Sequence, residues 1–123
     1  MNWIDDNVAV GNWMDAFRVG ALRREGIDLI IDARTLFHRN WRNFHHYPDV
    51  KRVRRAGNML VSLAELDAKV LVRCRHGRDR TPFLAMLYVS KRYNKTVKEA
   101  YEMVKEKRPQ TVLHWEWVEM LEK

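Results

Sequence analysis

The residues best suited to chemistry lie in a short loop between two apolar stretches. Val70-Leu71-Val72 is a β-branched run typical of a buried strand. Arg80-Thr81-Pro82 begins an apolar stretch in which proline suits the first turn of a helix, because its missing N–H has no partner there. The sequence therefore predicts a strand, a tight loop from Cys74 to Arg80, and a helix that continues to about Tyr93.

A strand-to-helix loop of this kind predicts an anion-binding site. Its backbone N–H groups converge on one concave surface, to which the helix N-terminus adds the positive end of its dipole. Arg80 presents a planar fork that matches two phosphate oxygens, and Cys74 beside N–H groups and cations favours the reactive thiolate. Together they indicate a nucleophile directed at phosphorus. The predicted phosphate-binding residues are Arg75, His76, Gly77, Arg78, Asp79 and Arg80.

The same residues carry a family resemblance. Cys74, five intervening residues and Arg80-Thr81 resemble the C-x5-R-[ST] signature of cysteine-dependent protein tyrosine and dual-specificity phosphatases. Gly26 to Ile31 resembles the strand that precedes the general-acid region of that family, and Tyr47-Pro48-Asp49 resembles its general-acid loop. Arg108-Pro109, followed by an aromatic-rich last helix, resembles its C-terminal end.

The resemblance implies hydrolysis of a phosphate monoester through a phosphocysteine on Cys74. It implies Asp49 as the general acid, and a hydroxyl of Thr81 that donates a hydrogen bond to the sulfur. Asp32, at the end of a predicted strand, is the main alternative to Asp49. The family usually has His where this chain has Arg73; a cation there can still favour a thiolate, but the departure puts the hydrogen bonding usually credited to that histidine in doubt. No metal or other cofactor is expected, because the loop itself supplies the positive field.

The basic loop is compatible with more than one class of phosphorylated substrate. A phosphorylated protein, carrying phosphotyrosine or phosphoserine and phosphothreonine, is the leading expectation. The R-x-G-R-D-R-T pattern is also similar to that of phosphoinositide and RNA 5′-phosphatase relatives, so an anionic lipid or an RNA end is an alternative. A phosphate-binding module without turnover and a rhodanese-like sulfurtransferase are further alternatives. Asp79 is expected to brace the loop, while His45 and His46 either approach the substrate or lie in solvent.

Composition indicates one globular domain over residues 1–123, since 46% of the residues are hydrophobic. No apolar run is long enough to span a bilayer, and the N-terminus lacks the features of a signal peptide. A single cysteine fits a reducing compartment, and we expect a cytoplasmic protein. Of the net charge of +7, residues 34–80 hold twelve Lys or Arg against four Asp or Glu, so the positive field surrounds the predicted loop.

The other elements follow from periodicity and capping residues. Short apolar runs at 3–4 and 8–10 predict a hairpin at the edge of a sheet. Asn12 is expected to cap a helix from Trp13 to about Arg24, with Phe17 and Ala21 buried and Gly26 ending it. The continuous run from Ile27 to Ile31 predicts a strand buried on both faces.

The remaining chain is predicted to be mainly helical. We expect a loop with one helical turn at 32–43, a short strand at 44–47, and a helix at 50–66 capped by Asp49. Thr96 and Glu99 form a capping box for a helix that Pro109 ends, and Thr111 is expected to cap the last helix. Strands that alternate with helices predict an α/β fold with a mainly parallel central sheet and helices on both sides.

Overall fold

Strands and helices alternate through the first two-thirds of the chain, and helices complete it. The computed structural model describes residues 1–43 and 45–122. The strands are β1 (Asn2–Trp3), β2 (Val8–Gly11), β3 (Leu29–Asp32), β4 (Phe37–Arg39), β5 (His46–Pro48) and β6 (Val70–Arg73). The helices are α1 (Val19–Glu25), α2 (Val50–Glu65), α3 (Arg80–Tyr93), α4 (Val97–Lys107) and α5 (Trp115–Glu122).

The central sheet has four strands in the order β1-β2-β6-β3. Both β2 and β3 run parallel to β6, with Val10 and Ile31 opposite Val72, while β1 pairs antiparallel with β2 as the edge hairpin that was predicted. The predicted α/β class with a mainly parallel sheet is therefore confirmed. Because the carboxyl ends of parallel strands meet at one edge, the loops after β2, β3 and β6 lie together there, where such sheets bind ligands.

The hydrophobic core lies between this sheet and the helices α2 and α3. Helix α2 buries one face at helical spacing, as its sequence predicted, and Asp49 caps it by accepting a hydrogen bond from the backbone of Arg52. Helix α3 packs against both α2 and α4 and is buried over most of its first three turns. The α2 side chains in the core are Val53, Ala56, Leu60 and Ala64.

The predicted helix from Trp13 to Arg24 is wrong in its first half. A 3-10 turn at Asp15–Phe17 is separated from α1 by Arg18, whose φ of −85° and ψ of 76° are not helical. The turn buries the carboxylate of Asp15, so Phe17 points outward and is exposed, against expectation. Gly26 ends α1 in the left-handed conformation with a φ of 72°, as predicted.

Strand β3 is present, but its predicted burial on both faces is wrong. It forms the edge of the sheet, and both Leu29 and Ile30 are exposed. The chain then makes a 3-10 turn at Ala33–Leu36, and β4 pairs with β5 in a separate two-stranded sheet instead of extending the first. The predicted strand at 44–47 corresponds to β5 in part, and Phe44 lies outside the described residues.

The C-terminal helices differ in how well their starts were predicted. The capping box of Thr96 and Glu99 begins α4 as expected. Helix α5 begins only at Trp115, so the expected cap at Thr111 is wrong, and Thr111 is buried in the preceding segment. Across residues 1–43 and 45–122, no helix combines the length and the apolarity needed to cross a bilayer.

Candidate active site

The loop between β6 and α3 brings a backbone N–H group to the sulfur of Cys74. The Cys74 side chain is nearly buried, with 2% of its surface exposed. The backbone N–H of Gly77 donates a hydrogen bond to Cys74 Sγ at 3.2 Å. Gly77 has a φ of 63°, the left-handed conformation that a glycine adopts without steric cost. The tight loop that the sequence predicts between a strand and a helix is therefore formed.

The outer side of the loop is held by residues that lie far away in the sequence. Because the C=O and N–H of a trans peptide point in opposite directions, carbonyls tied outward turn the adjoining N–H groups inward. Four consecutive loop carbonyls, those of residues 75–78, accept hydrogen bonds in this way. The backbone N–H groups of Trp13 and Val112 donate to Arg75 O at 3.2 Å and to Arg78 O at 2.8 Å. Between them, Arg108 donates from Nη2 to His76 O at 3.4 Å and from Nε to Gly77 O.

Arg108 is the central member of this outer layer. Its guanidinium is buried, and besides the loop carbonyls it donates to Asn2 Oδ1 on β1. Burial lowers the pKa of Arg108, while the negative charges of Asp15 and Cys74 oppose that shift. Arg108 therefore connects the edge hairpin to the loop that carries Cys74.

A cleft of about 480 Å³ opens above the loop. Nine of its ten lining residues are charged or are histidines, which makes the cleft suited to an anionic ligand. Arg80 lines it and makes no hydrogen bond or ion pair within the described part of the chain, so its planar fork is available to a ligand. The lining residues are His45, His46, Arg75, His76, Arg78, Asp79, Arg80, His114, Glu116 and Trp117.

His114 connects the start of α5 to the loop. Its Nε2 lies 2.8 Å from Asp79 Oδ1, its Nδ1 lies 3.1 Å from Glu116 Oε1, and its ring stacks on Trp117 at 3.9 Å. Carboxylates only accept hydrogen bonds, so both contacts are satisfied together when His114 carries a proton on each ring nitrogen. With Arg78 on its other oxygen, Asp79 is braced from two sides, as its position in the loop had suggested.

His46 approaches the same cleft from β5. Burial lowers the pKa of His46, and the cations Arg80 and Arg39 lower it further. The lowered pKa favours the neutral imidazole of His46, which offers the cleft one donor and one acceptor.

Asp49 lies at the start of α2, outside the set of residues that line the cleft. The backbone N–H of Arg52 and the ring of His38, whose Nε2 lies 2.9 Å from Asp49 Oδ2, lower the pKa of Asp49. In this arrangement Asp49 is a carboxylate that caps a helix.

Asp32 also lies outside the cleft-lining set, at the end of β3. Burial raises the pKa of Asp32, but hydrogen bonds from Arg34 and the charge of Arg73 outweigh it and hold that pKa below its usual value. Arg73 is buried and forms an ion pair with Asp32 Oδ2 at 3.2 Å.

Thr81 follows Arg80 in the first turn of α3 and is fully buried. Its hydroxyl oxygen has no hydrogen-bond partner among the described residues. The expected hydrogen bond from Thr81 to the sulfur of Cys74 is therefore not formed in this structure.

The comparison with known proteins fits this geometry. A sequence model described as "Dual specificity phosphatase, catalytic domain" matches residues 24–123. The chain belongs to the dual specificity phosphatase family. Protein-tyrosine-phosphatase IBR5 of Arabidopsis thaliana is 26% identical over 118 residues, which cover 92% of this chain and 46% of that protein. The chain thus spans just under half the length of this curated relative.

Solved structures share the fold of this dual specificity phosphatase family member at low sequence identity. Human DUSP28 superposes with a TM-score of 0.81 at 15% identity, over 99% of this chain and 95% of that chain. The human tyrosine phosphatase-like serine/threonine/tyrosine-interacting protein superposes with a TM-score of 0.78 at 17% identity, over 99% and 93% of the two chains.

The predicted residues of this phosphatase-family site fall into two groups. The fold brings Cys74, the rest of its loop and Arg80 together, and leaves Asp49 and Asp32 outside the lining of the cleft. Sequence reasoning missed His114 as a site residue, because no motif marks it. Arg108 was noted only through the family resemblance, since no local pattern predicts that a side chain will reach a loop about thirty residues earlier.

Proposed function

We propose that the chain hydrolyses phosphate monoesters through a phosphocysteine intermediate on Cys74. The proposed substrates are proteins that carry phosphotyrosine or other phosphorylated residues. The observation that carries the proposal is the loop geometry: its carbonyls are tied outward, an N–H contacts the sulfur, and the Arg80 side chain has no partner among residues 1–43 and 45–122. Membership of the dual specificity phosphatase family supports the same reaction.

In the first step the thiolate of Cys74 attacks phosphorus, so that an S–P bond forms as the P–O bond to the leaving group breaks. The three equatorial oxygens carry the charge of the transition state. They are held by the backbone N–H groups of residues 75–79 and by the fork of Arg80, where donors aimed at developing charge have their largest effect. In the second step a water attacks phosphorus and the S–P bond breaks, which regenerates the thiolate and releases phosphate.

Proton transfer is assigned to Asp49. Its carboxyl protonates the leaving oxygen in the first step and accepts a proton from the attacking water in the second. Because the pKa of Asp49 is lowered, this role favours turnover at acidic pH, where a larger fraction of the group is protonated. The hydroxyl of Thr81, buried and without a partner, is free to donate to the sulfur as the S–P bond breaks.

The decisive experiment compares the wild-type protein with Cys74→Ser on a phosphotyrosine peptide. We expect the wild type to hydrolyse the peptide and to show a covalent phosphoryl adduct after acid quenching. Cys74→Ser should bind the peptide without hydrolysing it, because an alcohol is a far weaker nucleophile and the loop N–H groups remain. Retained turnover in Cys74→Ser would overturn the covalent mechanism.

A second measurement uses the fact that the chain has a single cysteine. Iodoacetate labelling therefore reports on Cys74 alone. Labelling should be fast near neutral pH and should be blocked by inorganic phosphate, which occupies the loop. A substrate panel of phosphopeptides, an inositol phosphate and a 5′-triphosphorylated RNA then identifies the substrate class, and exclusive turnover of a non-protein substrate would contradict the assignment to phosphoproteins.

A further inference from the structure

Two carboxylates among the described residues line the cleft, and neighbouring side chains already engage both of them. Asp79 accepts a hydrogen bond from Arg78 Nε at 3.2 Å, and its other oxygen lies 2.8 Å from His114 Nε2. Glu116 Oε1 lies 3.1 Å from the second ring nitrogen of His114. These acidic side chains are therefore not available to pair with the remaining cations of the cleft.

Arg75 and Arg80 are the cleft arginines without a partner. Neither guanidinium makes a hydrogen bond or an ion pair with any residue in 1–43 or 45–122. The two differ in depth, since Arg80 is half-buried at the start of α3 whereas Arg75 is exposed. In the proposed mechanism Arg80 holds the transferred phosphoryl group with its fork, and Arg75 contributes only its backbone N–H. The guanidinium of Arg75 thus stays unpaired when a phosphorylated residue is bound.

The backbone of Arg75 is fixed at the edge of the cleft. Arg75 follows the nucleophile directly in the sequence, and its carbonyl accepts a hydrogen bond from Trp13 N at 3.2 Å. The cleft volume of about 480 Å³ is that of a pocket for a whole small molecule, so it accommodates more than one phosphoryl group. A cation on a fixed backbone therefore faces space that the transferred phosphate does not fill.

We propose that Arg75 binds a second anionic group of the substrate, the side chain of an acidic or phosphorylated residue a few positions from the one that is dephosphorylated. The inference rests on the proposed function and names the class of polypeptide that the site selects. A guanidinium pairs with carboxylates and phosphates through the same fork, so either side chain supplies the required chemistry. Residues of an extended peptide are about 3.3–3.6 Å apart, so side chains close to the phosphorylated residue pass the edge of the cleft.

The test measures one ratio on each variant. It is the kcat/KM of a phosphotyrosine peptide with an anionic side chain at one flanking position, divided by that of the same peptide with a neutral side chain there. Glutamate is compared with glutamine, and phosphoserine with serine, at each flanking position in turn, and hydrolysis is followed at the tyrosine. At the best position the wild type should favour the anionic peptide about threefold to tenfold, as a charge-assisted pair at an exposed site does.

The preference should lie in KM, because the flanking contact is the same in the ground state and the transition state. It should also weaken as the salt concentration rises, since salt screens an exposed pair of charges.

Arg75→Gln should lower the ratio to about one, because the glutamine peptide and the variant each remove one half of the same contact. Any effect of the substitution on the chemistry common to both peptides cancels in the ratio. Arg75→Lys keeps the charge without the fork and should retain part of the preference. The matched control is Arg55→Gln, which removes the same charge from an exposed arginine of α2 outside the cleft lining and should leave the ratio unchanged.

The outcomes separate the inference from the proposed function. If the wild type hydrolyses the neutral peptide but shows no preference for an anionic one, or if Arg75→Gln keeps the preference, the inference is overturned while the phosphatase assignment holds. An equal loss of preference in Arg55→Gln would assign it to the overall charge and would also overturn the inference. If Arg75→Gln impairs only an inositol bisphosphate or a 5′-triphosphorylated RNA, Arg75 serves a non-protein substrate and the inference is wrong. If the wild type hydrolyses no phosphate ester, both fail together.

Discussion

Replacing Gly77 by alanine tests whether the loop is held as tightly as its contacts imply. Gly77 lies in the left-handed region with a φ of 63°, which costs an alanine about 1–2 kcal/mol. A Cβ at this position would also lie 2.5 Å from the carbonyl oxygen of Gly11 and 2.5 Å from Arg108 Nη2. The arginine is a side chain and can shift, whereas the Gly11 carbonyl is backbone of a central-sheet strand.

Relief of the contact with the Gly11 carbonyl requires the backbone to move, and overpacking of this kind typically costs about 1–3 kcal/mol. Gly77→Ala should therefore lower the free energy of unfolding by about 2–5 kcal/mol in total, a large share of the 5–15 kcal/mol typical of a domain. Any movement also displaces the N–H that contacts the sulfur, and loss of one such donor costs about 100-fold or more in kcat.

Two other glycines separate the two contributions. Gly26 has a φ of 72°, and the nearest atom to a Cβ there would be in the Lys69 side chain, at an ordinary contact distance of 3.6 Å. Gly26→Ala should therefore lower the free energy of unfolding only by the conformational part, about 1–2 kcal/mol. Gly20 is exposed in α1 and open on the side where a Cβ would point, so Gly20→Ala should stabilise the protein, by up to about 1 kcal/mol.

Urea unfolding of the three variants, with turnover of a phosphate ester measured below each transition, gives both quantities. The order of stability should be Gly20→Ala, wild type, Gly26→Ala, Gly77→Ala. The reasoning would be refuted if Gly77→Ala lost no more unfolding free energy than Gly26→Ala and kept a normal kcat. The loop would then be able to move away from Gly11 freely, and it would not be held tightly.

Three other predictions concern charge. Arg80→Lys keeps the charge but loses the fork, so kcat/KM should fall by at least the 100-fold of a lost oxyanion donor, and near-normal activity would assign the phosphate to another arginine. Asp49→Asn should strongly slow the hydrolysis of an ordinary aryl phosphate but not that of an aryl phosphate with an acidic leaving group. It should also flatten the basic limb of the pH–rate profile. If Asp32→Asn has these effects instead, the proton donor is Asp32. Burial raises the pKa of Asp5, but hydrogen bonds from Tyr88 and Tyr93 outweigh it and lower that pKa. The ionised Asp5 therefore stabilises the folded protein above the unfolded pKa of about 3.9, and this contribution is lost as pH falls through the lower pKa of the folded state. The difference in unfolding free energy between wild type and Asp5→Asn should accordingly shrink below about pH 4.

Local signals predicted the elements on either side of Cys74. The apolar run before Cys74, the proline in the first turn of α3 and the end of that helix at about Tyr93 are each decided by neighbours in the sequence, and each is confirmed. The same holds for α2, where Asp49 and the apolar spacing act within one helix. Such features need no knowledge of the rest of the chain.

The errors arise where a distant contact decides the structure. The period of residues 13–24 is compatible with one helix, but the backbone N–H of Trp13 donates to Arg75 O in the distant loop, and a 3-10 turn at Asp15–Phe17 leaves Phe17 exposed. The run at Ile27–Ile31 is apolar enough for a central strand, yet β4 pairs elsewhere and leaves β3 at the edge. Neither outcome is encoded in the local pattern, because both depend on which partner the segment meets.

The departure at position 73 illustrates how a family site can be kept with a different residue. The family resemblance leads one to expect the residue before the cysteine to act on the sulfur, but the charge of Arg73 is directed to Asp32 on the neighbouring strand. The guanidinium that supports the loop is instead that of Arg108, which donates to the loop carbonyls and whose pKa is affected by the charge of Cys74. Its buried guanidinium therefore places a positive charge on the outer side of the loop that carries Cys74. The positive charge behind Cys74 is thus supplied from the C-terminal part of the chain, while Arg73 forms an ion pair with Asp32 on the edge strand of the sheet.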